Sequence, residues 1–102
     1  MGQSTSRGRP WFLYVVECAD RSFYTGISTD VERRVREHNS GRGSQYTAAR
    51  RPVILRASWR FAGRRHAMQA EIAFKRQRRT AKERAIQSAG SYRNGIWAMG
   101  RG

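Results

Sequence analysis

The sequence predicts one small α/β domain of the α+β type, in which a few strands and a few helices share a single core. Three observations lead there. The chain has 102 residues, which allows one modest core. Two strand-like runs, Trp11–Cys18 and Phe23–Thr25, are close enough to pair as a hairpin, and a third run alternates apolar and polar residues over Val53–Phe61. Two segments carry the spacing of a helix-opening capping box, Thr29-Asp30-Val31-Glu32 and Thr80-Ala81-Lys82-Glu83.

Taken in order, residues 1–10 are polar and rich in Gly, Ser and Arg, and are expected to form a flexible arm ahead of a domain at 11–88. From Trp11 to Cys18 nearly every side chain is apolar, which suits a central strand covered on both faces. Ala19–Ser22 is turn-like, and Phe23-Tyr24-Thr25 resumes a strand that Gly26 is expected to close. Because strand residues alternate faces, Tyr14 shares a face with either Phe23 or Tyr24, depending on register. In the helix that follows, Val31, Val35 and His38 fall on one stripe, and Asn39-Ser40-Gly41 ends it. Arg34 lies beside that stripe while Arg33 and Arg36 point away, so Arg34 belongs to the edge of the buried surface.

The loop 41–47 mixes glycines, hydroxyls and Tyr46, and matches no phosphate-binding fingerprint. In the third strand Val53, Leu55, Ala57, Trp59 and Phe61 are expected on one face. A basic helix is expected over about His66 to Arg79, with Ala67, Ala70, Glu71, Ile72 and Phe74 on its apolar arc and Met68 nearby. Glu71 is the anomaly, since a carboxylate on such an arc is paired with a base or aimed into a cleft. A short last helix runs to Ser88, and 89–102 reads as a flexible tail in which Tyr92, Ile96 and Trp97 are too sparse to build an element.

Composition narrows the function. Lys and Arg number 21 against 7 Asp and Glu, a formal net charge of +14. Such an excess attracts polyanions, and nucleic acid is the leading partner ahead of an anionic membrane surface. The single cysteine, Cys18, excludes an internal disulfide and a cysteine-based zinc site, and its apolar setting suits a buried thiol. No stretch approaches the ~20 apolar residues of a membrane span, and the N-terminus lacks the apolar segment of a signal peptide, so a cytoplasmic protein is expected.

The reactive inventory is Tyr14, Tyr24, Arg34, His38 and Glu71. A guanidinium matches two phosphate oxygens, a carboxylate can hold a divalent cation, and a phenol can position or deprotonate water. Together these parts make a coherent phosphodiesterase. Each also has a structural reading: core phenols, an Arg34 bridge to Glu37 or Glu71, a His38 helix cap, and a Glu71 ion pair.

Phe12-Leu13-Tyr14 and Tyr24-Thr25-Gly26 resemble the two half-motifs of the GIY-YIG nuclease family, the first keeping its tyrosine but not its glycine. Gly26–Arg34 matches the family's run into its helix and places the family arginine on Arg34. His38 matches a frequent histidine one turn later, and Glu71 falls in the helix that bears the family's metal-binding glutamate. His38-Asn39-Ser40-Gly41, Tyr46-Thr47 and Arg51-Pro52 extend the likeness to the small stand-alone bacterial members, over roughly 11–87. The resemblance implies a three-stranded antiparallel sheet flanked by helices and a DNA endonuclease dependent on Mg²⁺ or Mn²⁺. It implies that Tyr14, Tyr24, Arg34, His38 and Glu71 surround the scissile phosphate, with Glu71 on the metal. Structure-selective or weakly sequence-selective cleavage in repair or recombination is the leading expectation, with a protein partner supplying target recognition. The alternatives are a non-catalytic nucleic-acid-binding module that keeps the fold, and a basic RNA-associated protein in which Tyr14 and Tyr24 are buried apart.

Overall fold

The computed structural model describes residues 9–89, and the backbone alone at 92–93 and 96–97. Strands β1 (Trp11–Glu17), β2 (Phe23–Ser28) and β3 (Ile54–Phe61) form an antiparallel sheet in the order β2-β1-β3. Four helices accompany it: α1 (Val31–Asn39), the single turn α2 (Gln45–Ala48), α3 (Arg64–Lys75) and α4 (Arg79–Ser88). The three-stranded antiparallel α+β architecture expected from the sequence is therefore present.

β1 is apolar on both faces because both are covered. Leu13 and Val15 pack with Ala57, Phe74 of α3 and Ile86 of α4, while Tyr14 and Val16 pack with Cys18, Val31 of α1 and Val53. The register pairs Tyr14 with Gly26 and Val16 with Tyr24. Directly opposed residues share a face, so Tyr24, not Phe23, joins Tyr14 beneath α1. That settles the alternative left open by the sequence.

Several sequence expectations change. Gly26 does not close the hairpin but lies inside β2, opposite Tyr14. Val15 pairs with Ala57 and Val16 with Leu55, so Arg56 is an extra residue in a β-bulge. The bulge reverses the alternation: Val53 and Leu55 join the α1 side, and Ala57, Trp59 and Phe61 the α3 side. The N-cap of α1 is Asp30, not Thr29, because the Asp30 carboxylate accepts the Arg33 amide at 3.1 Å. The single helix expected to reach Arg79 stops at Lys75, and α4 opens at Arg79 rather than at Thr80. Ile72 is 53% exposed, not on the buried arc, because α3 turns only Ala67, Ala70 and Phe74 toward the sheet. In the region expected to be an element-free tail, β4 (Tyr92–Arg93) and β5 (Ile96–Trp97) form a short antiparallel ladder. The rest of the tail from residue 90, and the expected arm apart from 9–10, lie outside the described residues.

Candidate active site

Helix α1 carries the site, and the chain after it folds back over the same helix. Ser40 caps α1, Gly41 takes φ 89°, and the amides of Gly41 and Arg42 return to the carbonyls of His38 and Glu37 at 3.1 and 3.0 Å. That is a Schellman reversal, for which glycine is the natural residue. It sends Gly43 directly across the His38 imidazole, where a Cβ would overlap Nδ1. Ser44 then caps α2, accepting the Thr47 amide at 3.1 Å, and the turn aims Thr47 inward and Tyr46 outward.

Four of the five expected residues converge here. His38 has no exposed surface and bridges two elements: Nε2 lies 2.8 Å from the Tyr14 hydroxyl and Nδ1 2.7 Å from Thr47 Oγ1. The half-buried Tyr24 ring meets the imidazole edge-on at 5.0 Å between centroids. Arg34 donates to Glu37 Oε1 at 2.9 Å and to the Gly43 carbonyl at 3.0 Å. Its guanidinium also lies beside the Tyr14 hydroxyl, whose acidity it alters. The bridge to Glu37 allowed by the sequence thus forms, and it orients Arg34 rather than removing it from the cluster. Burying Tyr14 and Tyr24 apart, as an RNA-associated protein without a cleft would, is excluded, because both touch the same imidazole.

The electrostatics follow from burial. Desolvation pushes the Tyr14 phenol up to about 12, against the pull of the adjacent Arg34 cation, with smaller upward pushes from Tyr24 and the Glu71 charge. Desolvation also lowers His38, assisted by Arg34 and opposed by Glu37, so the imidazole is neutral at pH 7. Counting donors then assigns the tautomer. Arg34 has donors and no acceptor, so among the described residues the Tyr14 proton has His38 Nε2 as its acceptor. Nδ1 therefore carries the His38 proton and donates to Thr47 Oγ1, whose own hydroxyl faces Ser44 Oγ at 2.9 Å and the Ser44 carbonyl at 3.4 Å. The chain of protons runs one way, from Tyr14 through His38 and Thr47 to Ser44.

Glu71 stands apart from these contacts. It sits on α3, across the sheet from α1, and pairs with Lys75 at 2.9 Å, yet its charge reaches Tyr14. No group of three or more His, Cys, Asp or Glu gathers among the described residues. A single carboxylate, 22% exposed beside an exposed lysine that can swing away, fits Mg²⁺, which retains most of its waters, and does not fit a closed zinc site.

Sequence reasoning missed Gly43, Ser44, Thr47 and the stack on Tyr24. Tyr46 lies over Tyr24 at 5.9 Å, and Arg50 covers Tyr46 at 3.7 Å while held by Asp20 at 3.1 Å. The available signals were the Ser44-x-x-Thr47 spacing of a capped turn and the Tyr46-Thr47 likeness to the family, in a loop to which the sequence assigns no catalytic role. No helix among the described residues is long and apolar enough to cross a membrane.

A family model described as the GIY-YIG catalytic domain matches residues 10–84. A UPF0213 protein of Streptococcus agalactiae is 49% identical over 73 residues, covering 72% of this chain and 83% of its own length. The UPF0213 protein YazA of Bacillus subtilis is 42% identical over 86 residues, covering 84% and 87% respectively. Among solved structures, the solution NMR structure of a UPF0213 protein from Bacillus halodurans superposes with a TM-score of 0.51 at 41% identity. That of a protein from E. faecalis gives 0.55 at 46% identity, and each match covers 76% of this chain and 83% of the other.

Proposed function

Because the chain belongs to the GIY-YIG family, a nuclease family, we propose that it is a divalent-metal-dependent DNA endonuclease with Tyr14, Tyr24, Arg34, His38 and Glu71 at its centre. The observation that carries this reading is the buried Tyr14–His38–Thr47 chain, which opens beside a positioned guanidinium on a strongly basic protein. A purely binding module gains nothing from desolvating a histidine and a phenol to hold one proton path.

The chemistry follows from the two titrating groups. A phenol held near 12 is not a free phenolate at neutral pH, so Tyr14 cannot accept a proton from water by itself. It can do so while its own proton passes to His38 Nε2, which the Nδ1–H tautomer leaves open. The pair is the general base, and the excess proton rests on the imidazole until the product leaves. Tyr24, the more exposed phenol, positions the attacking water above His38. Arg34, oriented by Glu37 and Gly43, offsets charge that develops on the non-bridging phosphate oxygens. Glu71 would hold Mg²⁺ or Mn²⁺, which supplies Lewis-acid stabilisation of the phosphate and its leaving oxygen.

Contacts of this kind address the backbone more than base edges, so cleavage is structure-selective or weakly sequence-selective, as repair or recombination requires, in the cytoplasm and with a partner protein choosing the target. The test is incubation with linear, flapped, forked and four-way DNA, with and without Mg²⁺. Metal-dependent cutting that is lost in Tyr14→Phe and His38→Ala supports the reading. DNA binding with no cutting of any substrate, with Mg²⁺ or Mn²⁺, leaves the non-catalytic module instead.

A further inference from the structure

Four large apolar side chains are exposed among the described residues: Tyr46, Ile54, Met68 and Ile72. Tyr46 is accounted for by its stack on Tyr24. Met68 and Ile72 differ, because they lie four residues apart on α3 and so form one patch, 37% and 53% exposed. Met68 precedes Glu71 by three residues, which places it on the turn next to that carboxylate. The flanking side chains Arg64, Arg65, Lys75 and Arg76 are all exposed. An apolar pair ringed by cations, on the same helix as the carboxylate proposed to hold the metal, has a polyanion as its complementary partner.

Phosphate oxygens are met by the cations, whereas thioether and alkyl groups gain nothing from them. What Met68 and Ile72 can meet on a nucleic acid is the apolar surface of sugars and base faces. Base faces are available only where stacking is interrupted, and Met and Ile are side chains that proteins use to wedge such steps open. We propose that Met68 and Ile72 are a wedge that contacts unstacked bases next to the scissile phosphate, making branched or unpaired DNA the preferred substrate class. The inference rests on the reading of Glu71 as the residue that faces that phosphate.

The test uses the full-length protein in EDTA, so that binding is read without cleavage. The probes are a forked DNA carrying 2-aminopurine at the branch and a linear duplex of the same sequence. The wild type is expected to raise 2-aminopurine fluorescence on the fork and to bind the fork more tightly than the duplex. Met68→Ser with Ile72→Ser should abolish the fluorescence change and cut the fork preference on the order of tenfold, about what two partly buried apolar side chains contribute together. Duplex affinity should hold, because the cations are untouched. Ile54→Ser, at 64% exposure on β3, is the control for surface apolarity and should change neither readout.

An unchanged fork preference or fluorescence in the double variant overturns the wedge. So does self-association of the wild type that the double variant loses, since the patch then joins two copies of the chain. Addition of Mg²⁺ separates the two readings. Cleavage without unstacking refutes the wedge and leaves the nuclease, whereas unstacking of the fork without its cleavage in Mg²⁺ or Mn²⁺ supports base contact by the patch and overturns its placement beside a scissile phosphate.

Discussion

Thr47→Val tests the proton path most directly. The substitution exchanges a hydroxyl for a methyl group of the same shape at a residue with no exposed surface, so packing is nearly conserved. The exchange leaves His38 Nδ1, now 2.7 Å from Oγ1, facing carbon. If His38 keeps its tautomer, Nδ1–H is a buried donor without an acceptor. If it switches, Nε2–H points at Tyr14 and the phenol proton loses its acceptor. Either way at least one buried polar group is left unpaired, a cost of about 1–3 kcal/mol in folding stability. The chemistry depends on the second case, because a protonated Nε2 cannot relieve Tyr14. Positioned proton transfer contributes about 10²–10⁴-fold, so cleavage should fall by about 10²-fold or more. Thr47→Ser keeps the oxygen and should retain both the tautomer and most of the rate. Urea denaturation gives the stability change, and nitrogen chemical shifts of the His38 ring report the tautomer. A variant whose His38 ring has switched tautomer yet cuts at the wild-type rate would refute the relay and leave Thr47 a packing residue.

Gly26→Ala places a Cβ 2.6 Å from the Tyr14 hydroxyl oxygen, and Gly43→Ala places one inside contact distance of His38. Each should cost about 1–3 kcal/mol through overpacking and lower cleavage by displacing one end of the relay, as read by denaturation and single-turnover rates. Stability should decline as pH falls below about 6.5, the unfolded imidazole value, because burial lowers His38 in the fold and protonation favours the unfolded chain. It should also decline from pH 10.0 toward about 12, because Tyr14 keeps its proton longer when folded; melting temperatures across pH 4–12 show both limbs, and Tyr14→Phe should flatten the alkaline one. Arg34→Ala should reduce turnover far more than affinity, since one of 21 basic residues barely alters the long-range field while an oriented guanidinium is worth about 2–4 kcal/mol in the transition state. Glu71→Gln should hold or raise metal-free DNA affinity and lower Mg²⁺-dependent cleavage by orders of magnitude, and normal cutting would assign Glu71 to the Lys75 ion pair alone.

What the sequence alone determined about this chain is whatever is encoded by periodicity, composition and short motifs. β1 is apolar on both faces, so its central place is written in the run from Trp11 to Val16. Val31, Val35 and His38 repeat at helical spacing, so the stripe that buries His38 was legible, as was the placement of Arg34 at its edge. The half-motifs around Tyr14 and Tyr24 carried the family. The tertiary structure alone decided register, parity and partners. Whether Tyr14 meets Phe23 or Tyr24 turns on a one-residue shift that no local pattern encodes. The bulge at Arg56 divides an apparently uniform apolar face between two sides of the sheet, because one extra residue inverts a period of two. Thr47 lies nine residues from His38 and Gly43 nine from Arg34, and they meet because the Gly41 reversal folds the loop back over α1. A hydroxyl and a glycine in a polar loop look like solvent-facing connection until the chain is closed around them. The burial of Thr47 and the close approach of Gly43 to His38, and with them the direction in which the Tyr14 proton can move, exist only in three dimensions.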